Sequence, residues 1–210
     1  MKSEPKSSGV ISRRSLIRTG VAAAATIMVP GLALADEWIR LPENPPEPEI
    51  TRARFLTHRR TDQPRALSMY NSHTGETLRT VYFENGDYVP GALTEVNYFF
   101  RDFRANEIKP IDPNLLDLLH DIHTELDTSQ PFNLVSGYRS AATNAWLASQ
   151  GEGVARHSMH IEGRASDINV AGRQLSFLQR IALALHLGGV GYYPRSGFVH
   201  VDTGRVRHWG

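Results

Sequence analysis

Ser158-Met159-His160-Ile161-Glu162-Gly163-Arg164-Ala165-Ser166-Asp167 is the stretch on which the reading of this chain turns. It sets an imidazole and a carboxylate seven residues apart, with a glycine and an alanine between them. Gly163 allows a sharp change of direction after His160. From Ala165 onward the residues alternate as a strand, so Ala165 and Asp167 share a face, and the small alanine leaves that face open. A second stretch, Phe198-Val199-His200-Val201-Asp202, also alternates and puts His200 and Asp202 on one face. If the two strands are neighbours, His160, Asp167 and His200 converge. Each histidine alone reads as an ordinary polar residue at a strand or loop end. Together, two imidazoles and a carboxylate are the ligand set of a zinc centre that keeps one position open for water. Asp202 sits where it could take a proton from that water, act as a further ligand, or orient His200.

Working outward, residues 132–135 form a short strand leading into Ser136-Gly137-Tyr138-Arg139-Ser140, and a helix covers about 141–149. Arg139, just past a strand, suits a clamp for a substrate carboxylate or a developing oxyanion. Its plainer reading is a surface arginine at a helix start. Tyr138 reads as core. On the C-terminal side, residues 175–187 repeat at helical spacing and Gly188-Gly189 ends that helix. Residues 190–193 and 198–201 are two further strands, with one of Tyr192 and Tyr193 facing the site and the other the core.

Toward the N-terminus, Asp112-Pro113 is an N-cap followed by proline at the first helical position. Leu115, Leu116, Leu118, Leu119, Ile122 and Leu126 then make a buried face, with His120 and His123 read as surface residues. Val96, Phe99, Phe100 and Phe103 give a helical pattern over 93–104. Residues 65–70 and 77–83 alternate around a turn at 73–76, a hairpin in whose loop His73 is solvated. Helices and strands mix without regular alternation of strand and helix, so the class is α+β with a mainly antiparallel sheet.

The chain has 210 residues, 40% hydrophobic and 21% charged, enough for one core. The net charge of +1 hides an asymmetry. The first 35 residues hold five Lys/Arg and one acid, leaving 18 basic against 21 acidic residues beyond them. No basic footprint for nucleic acid is present. There is no cysteine, so a metal must be held by histidines and carboxylates.

Ser12-Arg13-Arg14-Ser15-Leu16-Ile17, an apolar run over 21–34 and Ala33-Leu34-Ala35 have the layout of a twin-arginine export signal with cleavage after Ala35. The run is too short to span a bilayer and Pro30-Gly31 interrupts it, so no stable membrane insertion is expected after cleavage. The expected organisation is a signal over 1–35, a proline-rich linker over 36–51 and a single domain over 52–210.

Ser158, His160, Gly163, Ala165 and Asp167 resemble the zinc-binding motif of the D-Ala-D-Ala metallopeptidases, and His-Ile-Glu-Gly-Arg-Ala-Ser-Asp-Ile resembles the zinc stretch of the hedgehog signalling domain, which shares that fold. Ser-Gly-Tyr-Arg-Ser upstream and Gly-Gly-Val-Gly-Tyr-Tyr-Pro-Arg-Ser-Gly-Phe-Val-His-Val-Asp-Thr-Gly downstream resemble the YcbK-like murein endopeptidases. The resemblance runs from near Arg65 to His208-Trp209. It implies a hedgehog-like α+β fold, Zn²⁺ on His160, Asp167 and His200, and Arg139 binding substrate or stabilising the oxyanion. It implies a periplasmic endopeptidase that hydrolyses peptidoglycan stem-peptide crosslinks with a metal-activated water. A D-Ala carboxypeptidase and a non-catalytic zinc-containing protein that binds cell-wall peptide are the alternatives. Relatives in other branches carry an acidic base three residues before the last histidine; here that position is Gly197. Asp202, His157 and Glu162 are the candidate bases in that order, with His208 in reserve.

Overall fold

Alternating side chains make the hairpin at the start of the structure. The structure, a computed structural model, describes residues 63–150, 155 and 157–210; the export signal and the proline-rich stretch lie outside them. β1 (Arg65–Asn71) buries Leu67 and Met69 and pairs antiparallel with β2 (Thr77–Glu84). The Asn71 side chain closes the turn, accepting from the N–H groups of His73 and Thr74 at 2.9 and 3.2 Å. A two-residue strand, β3 (Asp87–Tyr88), follows on β2.

The first helix differs from the expected 93–104. α1 (Pro90–Phe99) starts earlier, with proline near its first position, where its missing N–H costs nothing. It ends earlier because Asp102 makes a turn of its own. The Asp102 carboxylate accepts from the N–H groups of Arg104 and Ala105, and its backbone pairs with Glu107. Phe103 therefore leaves the helical pattern and stacks on His73.

α2 (Pro113–Leu126) opens as its sequence predicts, with the Asp112 carboxylate accepting from the Asn114 N–H at 3.0 Å. Leu115, Leu116, Leu119 and Ile122 are fully buried. Each contributes about 1.5–3 kcal/mol of burial, against about 1 kcal/mol for a cap, so the leucine face holds the helix in place. His120 and His123 are half-buried, each bonded to a backbone carbonyl, Ala66 and Gln130 respectively.

β4 (Phe132–Ser136), α3 (Ala141–Ser149), β5 (Ala165–Val170), α4 (Leu175–Leu185), β6 (Gly189–Tyr193), β7 (Phe198–Asp202) and β8 (Arg207–Trp209) complete the described elements. α4 stops two residues short of the expected end. His186 takes the left-handed cap (φ 52°), and Gly189 belongs to the next strand.

The sheet order is β3-β2-β1-β4-β5-β7-β6-β8. It is mixed rather than uniformly antiparallel: β1–β4 and β6–β8 run parallel, and the other five neighbouring pairs run antiparallel. Period-2 alternation gives β4 to β7 two unlike faces. Phe132, Leu134, Ile168, Val199 and Val201 join the hydrophobic core with residues of α2 and α4. Asp167, His200 and Asp202 alternate with these apolar residues and so lie on the opposite face. No helix among the described residues is long and apolar enough to cross a membrane.

Candidate metal centre

Register brings the candidate residues together. Asp167 on β5 pairs with His200 on antiparallel β7, and Ala165 pairs with Asp202. Directly opposite side chains on such a pair start only about 5 Å apart. His160 arrives from the turn before β5, where the Gly163 N–H bonds back to the His160 carbonyl at 3.2 Å. Gly163 has φ +70°, and a Cβ there would meet the Pro110 carbonyl oxygen at 2.6 Å. Both the sign of φ and the space require glycine.

The two imidazoles are held so that one nitrogen of each is fixed by an acceptor. His160 Nδ1–H donates to the Gly137 carbonyl at 2.6 Å, which leaves the lone pair on Nε2. His200 Nε2–H donates to Asp202 Oδ2 at 3.0 Å, which turns Nδ1 toward Asp167 and His160. His160 Nε2 and His200 Nδ1 lie 3.2 Å apart, and they are 3.2 and 2.8 Å from Asp167 Oδ1. The three residues are buried or nearly so, with His160 wholly inaccessible.

Burial pushes the His160 imidazole below its ordinary value, and Asp167 only partly offsets this. Burial acts the same way on His200, but hydrogen bonds to Asp167 and Asp202 outweigh it and hold His200 above its ordinary value. Burial also opposes ionisation of Asp167, yet the neighbouring His160 and the bonds to both imidazoles keep it well below the usual carboxylate range. Three atoms able to ligate a metal thus converge in a dry place. A tetrahedral zinc with bonds of about 2.0–2.2 Å has ligand–ligand edges of roughly 3.3–3.6 Å; the two separations of 3.2 Å approach this and the third, 2.8 Å, is shorter. The donor set, its spacing and the fixed far nitrogens fit a zinc ion.

Asp202 meets His200 and neither His160 nor Asp167. It lies behind His200, on the ring nitrogen turned away from His160 and Asp167. Its carboxylate is inaccessible and accepts five hydrogen bonds: from His200, from the Gly189 and Gly204 N–H groups, and two from Arg207 at 3.0 and 2.7 Å. Of the three roles open to it in the sequence, these contacts are those of a partner that orients His200. A Cβ at Gly189 would run into both the Arg207 guanidinium and the Asp202 carboxylate, so that glycine makes room for the pair. Arg207 and Trp209 belong to β8, which the sequence reading passes over. The Trp209 ring lies 5.3 Å from that of His200, and its Nε1–H donates to the Tyr193 hydroxyl at 2.8 Å. Tyr193 thus serves the site side and Tyr192 packs on the core.

Arg139 approaches the centre from the other flank. Its guanidinium is 3.8 Å from Asp167 Oδ2 and its N–H donates to the His160 carbonyl at 3.2 Å. Tyr138 is buried, as its sequence context predicts. Its hydroxyl donates to Glu107 at 2.5 Å, and burial followed by Glu107 pushes it up to about 12. Next to Arg139, the Ser140 N–H donates to Asp102 at 2.9 Å, so the turn that ends α1 also anchors the arginine's loop. His157 is exposed, three residues ahead of His160. Glu162 is exposed and paired with Arg164. His208 alternates with Arg207 and Trp209 and so faces away from His200.

Residues 59–209 match the profile of the family described as peptidoglycan L,D-endopeptidase MepK. This chain belongs to that family. Its relatives include the peptidoglycan L,D-endopeptidase MepK of Escherichia coli (strain K12), 48% identical over 149 residues that make up 71% of this chain and 82% of that protein. A probable peptidoglycan L,D-endopeptidase MepK of Haemophilus influenzae is 42% identical over 150 residues, 71% of this chain and 81% of that protein. Among solved structures, the L-Ala D-Glu endopeptidase ChiX of Serratia marcescens aligns with 45% of this chain and 65% of its own, at 20% identity and a TM-score of 0.30. Family membership spans the described residues, the site included.

Proposed function

We propose that this chain is a zinc-dependent peptidoglycan endopeptidase that hydrolyses stem-peptide crosslinks, with His160, Asp167 and His200 as the metal ligands. The observation that supports this most is the pair of fixed imidazoles. Each is bonded at one nitrogen and turns the other toward a single carboxylate oxygen. Bound there, zinc supplies a Lewis acid that polarises a peptide carbonyl and lowers the pKa of water toward ~7. Gly137 and Asp202 hold the imidazoles in the liganding tautomer, and Arg207 holds Asp202. Arg139, beside the cluster, binds a substrate carboxylate or the oxyanion that develops as the amide is attacked. With Asp202 engaged behind His200, His157 is our candidate to take the proton of the attacking water. The fold is inferred to be that of the hedgehog and D-Ala-D-Ala peptidase group, formed by one domain over 52–210 after a linker. Twin-arginine export through residues 1–35 places the mature chain in the periplasm, where its substrate lies.

The assignment of ligands is checked by elemental analysis of protein purified without chelators. One zinc per chain is expected, and His160→Ala and Asp167→Ala should each lose it. Protein that holds no metal even after zinc is supplied would refute the ligand set.

A further inference from the structure

A shallow notch of about 10 Å³, room for roughly one water, opens beside Arg139. His73, Arg101, Asp102, Phe103 and Arg104 line it, with the backbone at the end of β4. Its charges are unequally committed. Arg101 spends both terminal guanidinium nitrogens on Glu76, at 2.9 and 3.0 Å. Asp102 spends its carboxylate on the N–H groups of Arg104, Ala105 and Ser140. Arg139 leans toward Asp167. Arg104 has no ion pair among the described residues; its guanidinium carbon lies 4.4 Å from the centroid of the Phe103 ring. That ring stacks on His73 with centroids 4.6 Å apart and planes at 18°. His73 is itself pinned, its Nε2–H donating to the Val135 carbonyl at 3.0 Å. The loop histidine is exposed, as its sequence context predicts, and stacks under a ring beside an exposed cation that has no ion pair among the described residues.

The stack's distance from the metal ligands follows from the sheet. His73 extends from the end of β1, Val135 is on β4 beside it, and Asp167 is on β5 beyond. Two strand spacings amount to roughly 10 Å, which an extended peptide covers in about three residues.

We propose that the rim of this notch is a subsite for a free carboxylate of the substrate peptide, held by the exposed Arg104 beside the Phe103–His73 stack, about three residues from the bond that is cut. The proposal rests on the peptidase reading above. Stem peptides carry carboxylates on their acidic and diamino acid residues, and a guanidinium takes a carboxylate through two parallel hydrogen bonds. Stacking on Phe103 fixes the plane of the guanidinium before substrate arrives, so less freedom is lost on binding.

The test is steady-state cleavage of a cross-linked muropeptide with free carboxylates and of the same muropeptide amidated. Wild type is compared with Arg104→Ala, Arg104→Lys and Phe103→Leu, with zinc content measured beside each. Wild type should show a KM about tenfold higher for the amidated substrate, the loss of one charged hydrogen-bonded pair. Arg104→Ala should raise KM about tenfold on the acid and leave it unchanged on the amide, with kcat and zinc unaltered. Arg104→Lys should fall between, and Phe103→Leu should raise KM on the acid about threefold. Equal KM values of wild type on the two substrates would overturn the subsite, and so would an Arg104→Ala defect of the same size on both. Equal wild-type values overturn the subsite even if a variant fails to fold, and a wild-type difference that persists undiminished in Arg104→Lys and Arg104→Ala assigns the carboxylate to Arg139 and overturns it too. Wild type that cleaves neither substrate overturns the peptidase reading instead.

Discussion

Asp167 and Asp202 are both buried, both held below the usual carboxylate range, and both bonded to His200. What separates their roles is the ring nitrogen each one meets. Asp167 meets Nδ1 beside the His160 lone pair, and Asp202 meets Nε2 behind it. Asp202→Asn should therefore weaken zinc binding by about 10–100-fold, the usual cost of losing a carboxylate that orients a ligand. The zinc-saturated variant should keep kcat within a few fold. Competition with a chelating dye gives the affinity, and unchanged affinity with lost hydrolysis would return Asp202 to the role of base. His157→Gln should do the reverse, retaining zinc while kcat falls on the order of 10²–10⁴-fold. Retention of full kcat would remove His157 from consideration. The alternation of residues 198–202 reveals the shared face of His200 and Asp202. It does not reveal which nitrogen faces which carboxylate, because that depends on ring orientation and on Arg207, which pins Asp202 from a different strand.

The elements read well where long periodic patterns built them and poorly where a few residues did. The leucine face of α2, and strands β5 and β7, announce themselves through spacing. β8 is three residues long, too short for alternation to register, yet it carries both the anchor of Asp202 and the tryptophan beside His200. The α1 terminus was misplaced because Phe103 continues a helical apolar pattern while Asp102 takes backbone N–H groups for a turn. Burial opposes ionisation of Asp102, but hydrogen bonds from Thr143, Ser140 and Ala105 outweigh it and hold its carboxyl below the usual range. A depressed carboxylate adds stability above its unfolded value of about 3.9, and that contribution is lost as pH falls through the lower folded value. Asp102→Asn should cost about 2 kcal/mol at pH 7, with the gap from wild type narrowing below pH ~4. Urea melts at pH 7 and pH 3 check this, and a gap of equal size at both would contradict it. Because Asp102 also anchors the Ser140 N–H beside Arg139, the variant should lose kcat/KM even where it is folded.

For the molecule as a whole, one sheet divides the labour: its apolar face makes the core with α2 and α4, and its polar face carries the site. The class was legible because strands and helices alternate irregularly along the chain. The two parallel pairs were not, since they join β1 to β4 and β6 to β8, elements that hydrophobic pattern alone cannot order. Export belongs to this scale too. Replacing Arg13 and Arg14 with Lys should leave precursor inside the cell if, as we propose, the paired arginines are the address. Cell fractionation showing an unchanged periplasmic amount would refute the twin-arginine reading. The central claim, metal-dependent cleavage of peptidoglycan crosslinks at His160, Asp167 and His200, is tested most directly by digesting cross-linked muropeptides and separating the products. The protein is used as purified, after chelator treatment, and after zinc is returned, beside His160→Ala. Cleavage by the purified protein, its loss with chelator, its recovery with zinc and its absence in His160→Ala at every zinc concentration are expected. Undiminished cleavage by metal-free protein, or by His160→Ala, would contradict the account.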